Sequence, residues 1–459
     1  MKDEVYYRIG KLILIFAFIY VLLRAYYLSI TYDEALTYLS YSIKSYIGIF
    51  TEESMANNHF LNTVLIKFFT GIFGVSEFVV RIPALIGASI YLASAYYISK
   101  LLFSKYYFLA SVTLLVSNAL IMDFLPLARG YSLALGFFMV ALYYLLKEEH
   151  NEIVILMCTL SVLSSLSFLY VYAAFIFLLV YRELGDIRSL ALKVALPVGC
   201  SALFLFFTLF SAVGWMQQTG QFYFGGTTSF WQDTVKSLIV YSLYNNYYNT
   251  NLIWVSQVII IVVSCLALLA AYKTREKRLL AVFSALATVI LLIHIHHALG
   301  TLFILDRAAI FFVPLFVLLI VLTWQAIPSK LANVFFSVIV ILLIIIFIGS
   351  INISHTVAWK YNANTKDAMI EIMEDHQTGL KTVGVTWLYD SSTNFYRAKY
   401  NLTWLEPATR DGPDGSYDYY LILGDNWWGE DEMLVFDKYN LTYKYYPLSN
   451  LYFAKKNES

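Results

Sequence analysis

About eleven apolar runs alternate with short polar connections along the first three quarters of the chain, near 9–30, 79–99, 106–123, 127–146, 151–166, 168–182, 191–213, 252–272, 279–299, 308–326 and 331–351. A helix needs about 20 residues to cross a hydrocarbon core of about 30 Å. Backbone within lipid must pair its polar groups inside its own segment, so runs of this kind predict membrane-spanning helices. The stretch 151–182 reads as two short helices with a tight turn between them. One merged helix would set Lys147 and Arg182 on opposite sides of the membrane and reverse everything downstream.

Three polar stretches interrupt the pattern. Residues 31–78 form a long first loop with amphipathic pieces suited to the membrane interface. Residues 214–251 are rich in Gly, Asn, Trp and Tyr, including Gly225-Gly226 and Asn245-Asn246-Tyr247-Tyr248. Residues 352–459 are polar enough for a small soluble domain. Helical periodicity covers Asn364 to Gln377, with shorter helices at Ser391–Tyr400 and Asp431–Tyr439. Strand patterns cover Lys381–Trp387, Thr403–Glu406, Tyr417–Leu423 and Leu441–Phe453, so the alternation predicts an α/β layer. The expected organisation is a transmembrane module over 1–351 and an α/β domain over 352–459.

Composition strengthens this picture. Of 459 residues, 60% are hydrophobic and 14% charged, with a mean hydropathy of +0.66. Soluble domains carry about 25% charged residues. Net charge is zero, so no nucleic-acid partner is implied. Cys158, Cys200 and Cys265 all lie in apolar runs and read as buried thiols. The first run ends in Arg24-Ala25-Tyr26-Tyr27 and reads as a retained span, not a signal peptide.

Lys and Arg set the orientation. One set of connections holds Lys2, Arg8, Lys11, Lys100, Lys105, Lys147, Arg182, Arg188, Lys193, Lys273, Arg275, Lys277, Arg278 and Lys330. The opposite, longer connections hold mainly Lys44, Lys67, Arg81, Arg129, Lys236 and Arg307. The first set is therefore expected on the cytoplasmic side, with the N-terminus, and the tail outside.

The outer connections carry the candidate chemistry. Asp33 and Glu34 adjoin at the mouth of the first span. One could act as general base or metal ligand, the other as its partner or as a helix cap. Capping alone is the plainer reading. Further along stand His59, Lys67 and Arg81, then Asp123, Arg129 and Tyr131, then Asp306 and Arg307. Any one arginine could be an interfacial anchor. Three outer helix mouths each with an arginine, two of them with an aspartate, suit a phosphorylated substrate held in lipid. His294, His296 and His297 read as hydrogen-bonded or interfacial, and no Ser/His/Asp constellation is evident.

Five segments taken in order resemble the GT-C membrane glycosyltransferases, and within them the dolichyl-phosphate-mannose protein mannosyltransferase and lipid A aminoarabinose transferase group. They are Tyr32-Asp33-Glu34-Ala35, Asn58-His59-Phe60-Leu61, Phe73-Gly74-Val75-Ser76-Glu77-Phe78 through Arg81-Ile82-Pro83, Ala128-Arg129-Gly130-Tyr131, and Asp306-Arg307 through Pro314. Phe60 stands where that group has proline, Ala308 replaces its tyrosine, and Asp123 is the candidate second acid. The resemblance implies a polyprenyl-phosphate-sugar donor and an acceptor hydroxyl on a protein, glycan or glycolipid at the outer face of an inner membrane. It implies Asp33 as base, with Glu34 and Asp123 as further catalytic candidates. His59, Lys67, Arg81, Arg129, Tyr131 and Arg307 would bind substrate. No cofactor is required; a divalent cation at Asp33 is left open. A flippase for lipid-linked sugars and a non-catalytic scaffold are the alternatives.

Overall fold

The computed structural model describes residues 2–244, 249–376, 378–425 and 432–457. The Asn245–Tyr248 run of the second polar loop, the Gln377 end of the first tail helix and Asp431 lie outside them.

Among the described residues seven helices are long and apolar enough to cross a bilayer: Asp3–Tyr27, Glu77–Leu102, Leu166–Glu183, Ile187–Gln218, Thr250–Thr274, Lys277–Ala298 and Lys330–Ser350. Four shorter apolar helices, Lys105–Val116, Tyr131–Lys147, Asn151–Ser164 and Phe312–Ala326, fall on the remaining expected spans. The stretch 151–182 is divided as expected. Asn151 donates to Glu183 at 3.1 Å and accepts from Arg182, which brings both charged ends to one side. The expected run 106–123 is broken, however. Ser117 leaves helical geometry, and the Asn118 side chain caps a new helix, Ala119–Phe124, by accepting from the Ile121 N–H at 3.1 Å. An Asn placed there satisfies the backbone outside a helix as well as within it, so hydrophobicity alone does not carry the helix through.

The first loop contains a further apolar helix, Phe60–Phe73. Its polar Asn62 and Thr63 are buried while Phe68, Ile72 and Phe73 are exposed. That inversion is natural where the surrounding medium is hydrocarbon. For the same reason two of the three thiols depart from expectation: Cys158 is buried, but Cys200 and Cys265 are exposed on apolar helix faces. Small residues let two helices approach closely. A Cβ at Gly87 would lie 2.5 Å from the Leu133 nitrogen, and one at Gly136 would lie 2.7 Å from the Gly87 carbonyl.

The chain divides into two compact units, one of residues 1–22, 50–62 and 83–351, the other of residues 23–49, 63–82 and 352–459. In the second, four strands form one sheet: β1 (Val383–Val385), β2 (Tyr419–Leu423), β3 (Leu441–Tyr446) and β4 (Leu451–Lys456), in the order β1-β2-β4-β3. β1 and β2 are parallel, and β4 runs antiparallel to both neighbours. The expected strand 441–453 is thus a hairpin. The expected strand at 403–406 is only a bridge between Leu405 and Lys381. Helix Glu432–Tyr439 covers the sheet through Val435 and Phe436, which pack with Tyr420, Ile422 and Ala454.

Candidate active-site groups

In the second unit the first long helix ends at Tyr27, and Thr31 opens the short helix Tyr32–Thr37. Thr31 and Glu34 form a capping box: the Glu34 N–H reaches the Thr31 hydroxyl at 3.4 Å, and the Thr31 N–H reaches a Glu34 oxygen at 3.0 Å. Arg81 grips the same carboxylate in a fork, Nε to Oε1 at 2.8 Å and Nη2 to Oε2 at 2.7 Å, with both side chains fully buried. The remaining Arg81 donors reach the carbonyls of Ala25, Leu28 and Ser29 at 3.2, 2.7 and 2.9 Å. Those are orphan acceptors around the end of a helix. Arg81 has five N–H groups and all are spent on protein. It therefore holds the chain's exit from the first helix and has none left for a phosphate. Glu34, the motif's second acid, is equally committed.

Asp33 is different. It is only half-buried and sits on the turn beside Tyr32. The Tyr32 hydroxyl receives Arg410 Nη2, and Arg410 Nε donates to Asp390 at 2.7 Å. Burial, aided by the Asp390 charge and opposed by Arg410, pushes the Tyr32 phenol up to about 12. The tail thus supplies Arg410 and Asp390 to the neighbourhood of the Asp-Glu motif. Nothing in their sequence surroundings pointed there. Lys67, half-buried, donates to the Ser42 carbonyl at 3.2 Å and lies over the Tyr46 ring.

The first unit gathers the other group. Arg129 is buried and its Nη1 donates to the Asn57 carbonyl at 3.2 Å. Tyr131, next to it, presents its ring between His59 at 4.8 Å and Phe124 at 5.2 Å. His59 Nδ1 lies 2.9 Å from the Ser164 carbonyl, at the turn that separates the two short helices. Burial, then the Arg129 charge, holds the His59 imidazole well below its ordinary range. Asp123 is buried and accepts from the Tyr244 hydroxyl at 3.1 Å.

Arg307 follows Asp306, a buried residue with φ of +36°. The Asp306 carboxyl is pushed up by burial, against the pull of Arg307. The second polar loop fixes this corner. Gly226 and Phe303 exchange two backbone hydrogen bonds of 2.8 and 2.9 Å, and Thr234 donates to the Ile304 carbonyl at 2.6 Å. The Arg307 guanidinium lies 5.0 Å above the Phe224 ring of that loop. The three histidines each have their own contact: His294 with the Ile290 carbonyl at 2.8 Å, His296 with Tyr170 at 2.6 Å, and His297 with the Thr301 carbonyl at 2.6 Å. Among the described residues no three His, Cys, Asp or Glu side chains gather to cage a metal.

These features define a polytopic helical membrane protein with a small α/β layer. No protein-family profile matches the sequence, and no curated protein matches it. Among solved structures, the chain is similar to ArnT from Cupriavidus metallidurans, over 98% of both chains. The TM-score is 0.54 at 9% identity for the apo state, and 0.53 at 10% for the form bound to undecaprenyl phosphate. The oligosaccharyltransferase of Archaeoglobus fulgidus in complex with Zn and sulfate gives a TM-score of 0.48 at 14% identity, over 97% of this chain and 73% of that one.

Proposed function

We propose that the protein transfers a sugar from a polyprenyl-phosphate donor to an acceptor hydroxyl on a protein, glycan or glycolipid at the outer membrane face. The whole-chain likeness to a protein that binds undecaprenyl phosphate carries this reading. In the first unit, Arg129 and Arg307 take the charge of the lipid phosphate as it leaves, with Tyr131 alongside. In the second unit, Asp33 is the base. Its neighbour Glu34 is fully buried in the capping box and the fork with Arg81, whereas Asp33 is half-buried.

In the reaction the acceptor oxygen attacks the anomeric carbon and its proton passes to Asp33. The bond from that carbon to the phosphate oxygen breaks, and its electron pair leaves with the polyprenyl phosphate. The centre inverts through an oxocarbenium-like transition state, as in glycoside chemistry. Asp123, tied to Tyr244, is assigned to holding the helix mouth beside Arg129.

The test supplies purified protein with a panel of polyprenyl-phosphate sugars and a membrane extract as acceptor source, and measures released polyprenyl phosphate. Asp33→Asn should lower release by about 10²–10⁴-fold, the usual worth of a general base, with an unchanged unfolding temperature. Equal release by the variant would remove Asp33 from the chemistry. No release from any donor by the wild type would turn the reading toward a flippase or scaffold.

A further inference from the structure

We infer that His59 is a neutral hydrogen-bond acceptor for a hydroxyl of the sugar on the donor lipid, a subsite separate from the guanidinium groups that hold its phosphate. The inference rests on the donor reading above and deepens it. His59 is 5% exposed and its Nδ1 lies 2.9 Å from the Ser164 carbonyl. A carbonyl only accepts, so Nδ1 carries the hydrogen, and the neutral ring keeps its lone pair on Nε2. That Nε2 is buried and meets no hydrogen-bond partner among the described residues. Buried polar atoms are almost always satisfied, so this one points to a group still to arrive.

The ring is fixed by more than one contact. A Cβ on Gly130 would lie 1.8 Å from the Ser164 oxygen and 2.7 Å from the His59 Cβ. Chain segments from three places therefore meet with no slack, and Tyr131 closes against the ring's side. Rotation that would swap the two nitrogens is opposed by this packing.

The chemistry of the missing group follows from the charges. Arg129 and Arg307 both act to keep a proton off His59, in addition to its burial. A ring held neutral cannot serve as a third cation. The lone pair on Nε2 would repel a phosphate oxygen. What fits it is an O–H donor, and a sugar esterified to a lipid phosphate carries several. The bare polyprenyl phosphate has no sugar hydroxyl to offer.

The experiment measures equilibrium binding in detergent of four probes: undecaprenyl phosphate and its mannosyl, glucosyl and arabinosyl esters. The wild type should bind at least one ester about tenfold more tightly than the bare lipid. His59→Asn, which keeps a donor for the Ser164 carbonyl and removes Nε2, should lose that margin and retain the affinity for undecaprenyl phosphate. His59→Gln, which returns a polar atom near Nε2, should recover part of it. Monodeoxy analogues of the preferred ester address the unaltered protein: one of them should lose the tenfold in the wild type and lose nothing more in His59→Asn. An equal fall for bare and glycosylated lipids, a margin untouched by His59→Asn, or equal binding of all deoxy analogues would each overturn the inference. Failure of the wild type to bind undecaprenyl phosphate at all would instead overturn the donor reading, and this inference with it.

Discussion

The pair Asp33-Glu34 shows how far adjacent residues can part in role. The residue pattern alone offers two carboxylates and only the family resemblance points to Asp33, because one position of rotation around a helix separates burial from access. The choice is made by Thr31 and by Arg81, the latter 47 positions from Glu34. Breaking a buried ion pair from one side leaves an uncompensated charge, so Arg81→Met should destabilise the protein by about 3–5 kcal/mol. Glu34→Leu should cost a similar amount. The double variant should be less destabilised than Arg81→Met alone, yet still weaker than wild type, because the carbonyls of Ala25, Leu28 and Ser29 lose their donors. Thermal unfolding in detergent gives all three values, and a double variant worse than the sum of the singles would refute the pairing. His355 supplies a pH test in the same unit. Burial, with Lys360 and Arg24, lowers its imidazole from 6.5 to about 4. Since the unfolded ring takes a proton first, folded stability from His355 is complete above pH 6.5 and falls away as pH drops toward 4. His355→Gln should flatten the dependence of unfolding temperature on pH across that window; an unchanged slope would assign it to other groups.

At the scale of elements, the long apolar runs were readable because lipid imposes one solution on each of them. The division of 151–182 was readable too, from the positions of Lys147 and Arg182. What escaped the sequence were features set by partners elsewhere in the chain. The break at Ser117-Asn118 needs an accessible cap, and the 441–453 hairpin needs β4 to choose β2 as its other neighbour. The second polar loop is the clearest case. Its Gly225-Gly226 pair stood out only as composition, but each glycine is demanded by close approach. A Cβ on Gly225 would lie 2.4 Å from the Leu302 Cβ, and one on Gly226 would lie 2.2 Å from the Asp233 Cγ. Asp233 in turn accepts from the N–H groups of Thr228 and Ser229 at 2.7 and 2.9 Å, fixing the loop that carries Phe224 under Arg307. Gly226→Ala should therefore cost about 1–3 kcal/mol of stability by overpacking. It should also weaken undecaprenyl phosphate binding by displacing Arg307. Full retention of lipid affinity would separate this loop from the proposed phosphate site.

For the whole molecule, the decisive question is which side each connection faces. Charge counting sets residues 100–105, 147–150, 182–193, 273–278 and 330 together. Within the first unit three of these connections do lie together. Arg278 Nη1 donates to the Leu101 carbonyl at 2.7 Å. A hollow of about 440 Å³ is lined by Leu146, Lys147, Glu148, Glu276, Lys277 and Arg278. Connections that share a hydrogen bond and a hollow share a membrane face, and a face this rich in lysine and arginine is expected to be cytoplasmic. The final helix Lys330–Ser350 starts at Lys330, so residues 352–459 are expected on the outer side. Two exposed positions test this: Thr274, beside the cationic run, and Ser416, in the tail. With Cys158, Cys200 and Cys265 replaced, Ser416→Cys should react with a membrane-impermeant thiol reagent on intact cells. Thr274→Cys should react only after permeabilisation. The reverse pattern would invert the topology and place Asp33 on the cytoplasmic side, where the donor's sugar would have to be presented from within. Labelling of both positions on intact cells would mean that the charge bias had been read across an odd number of spans too many or too few.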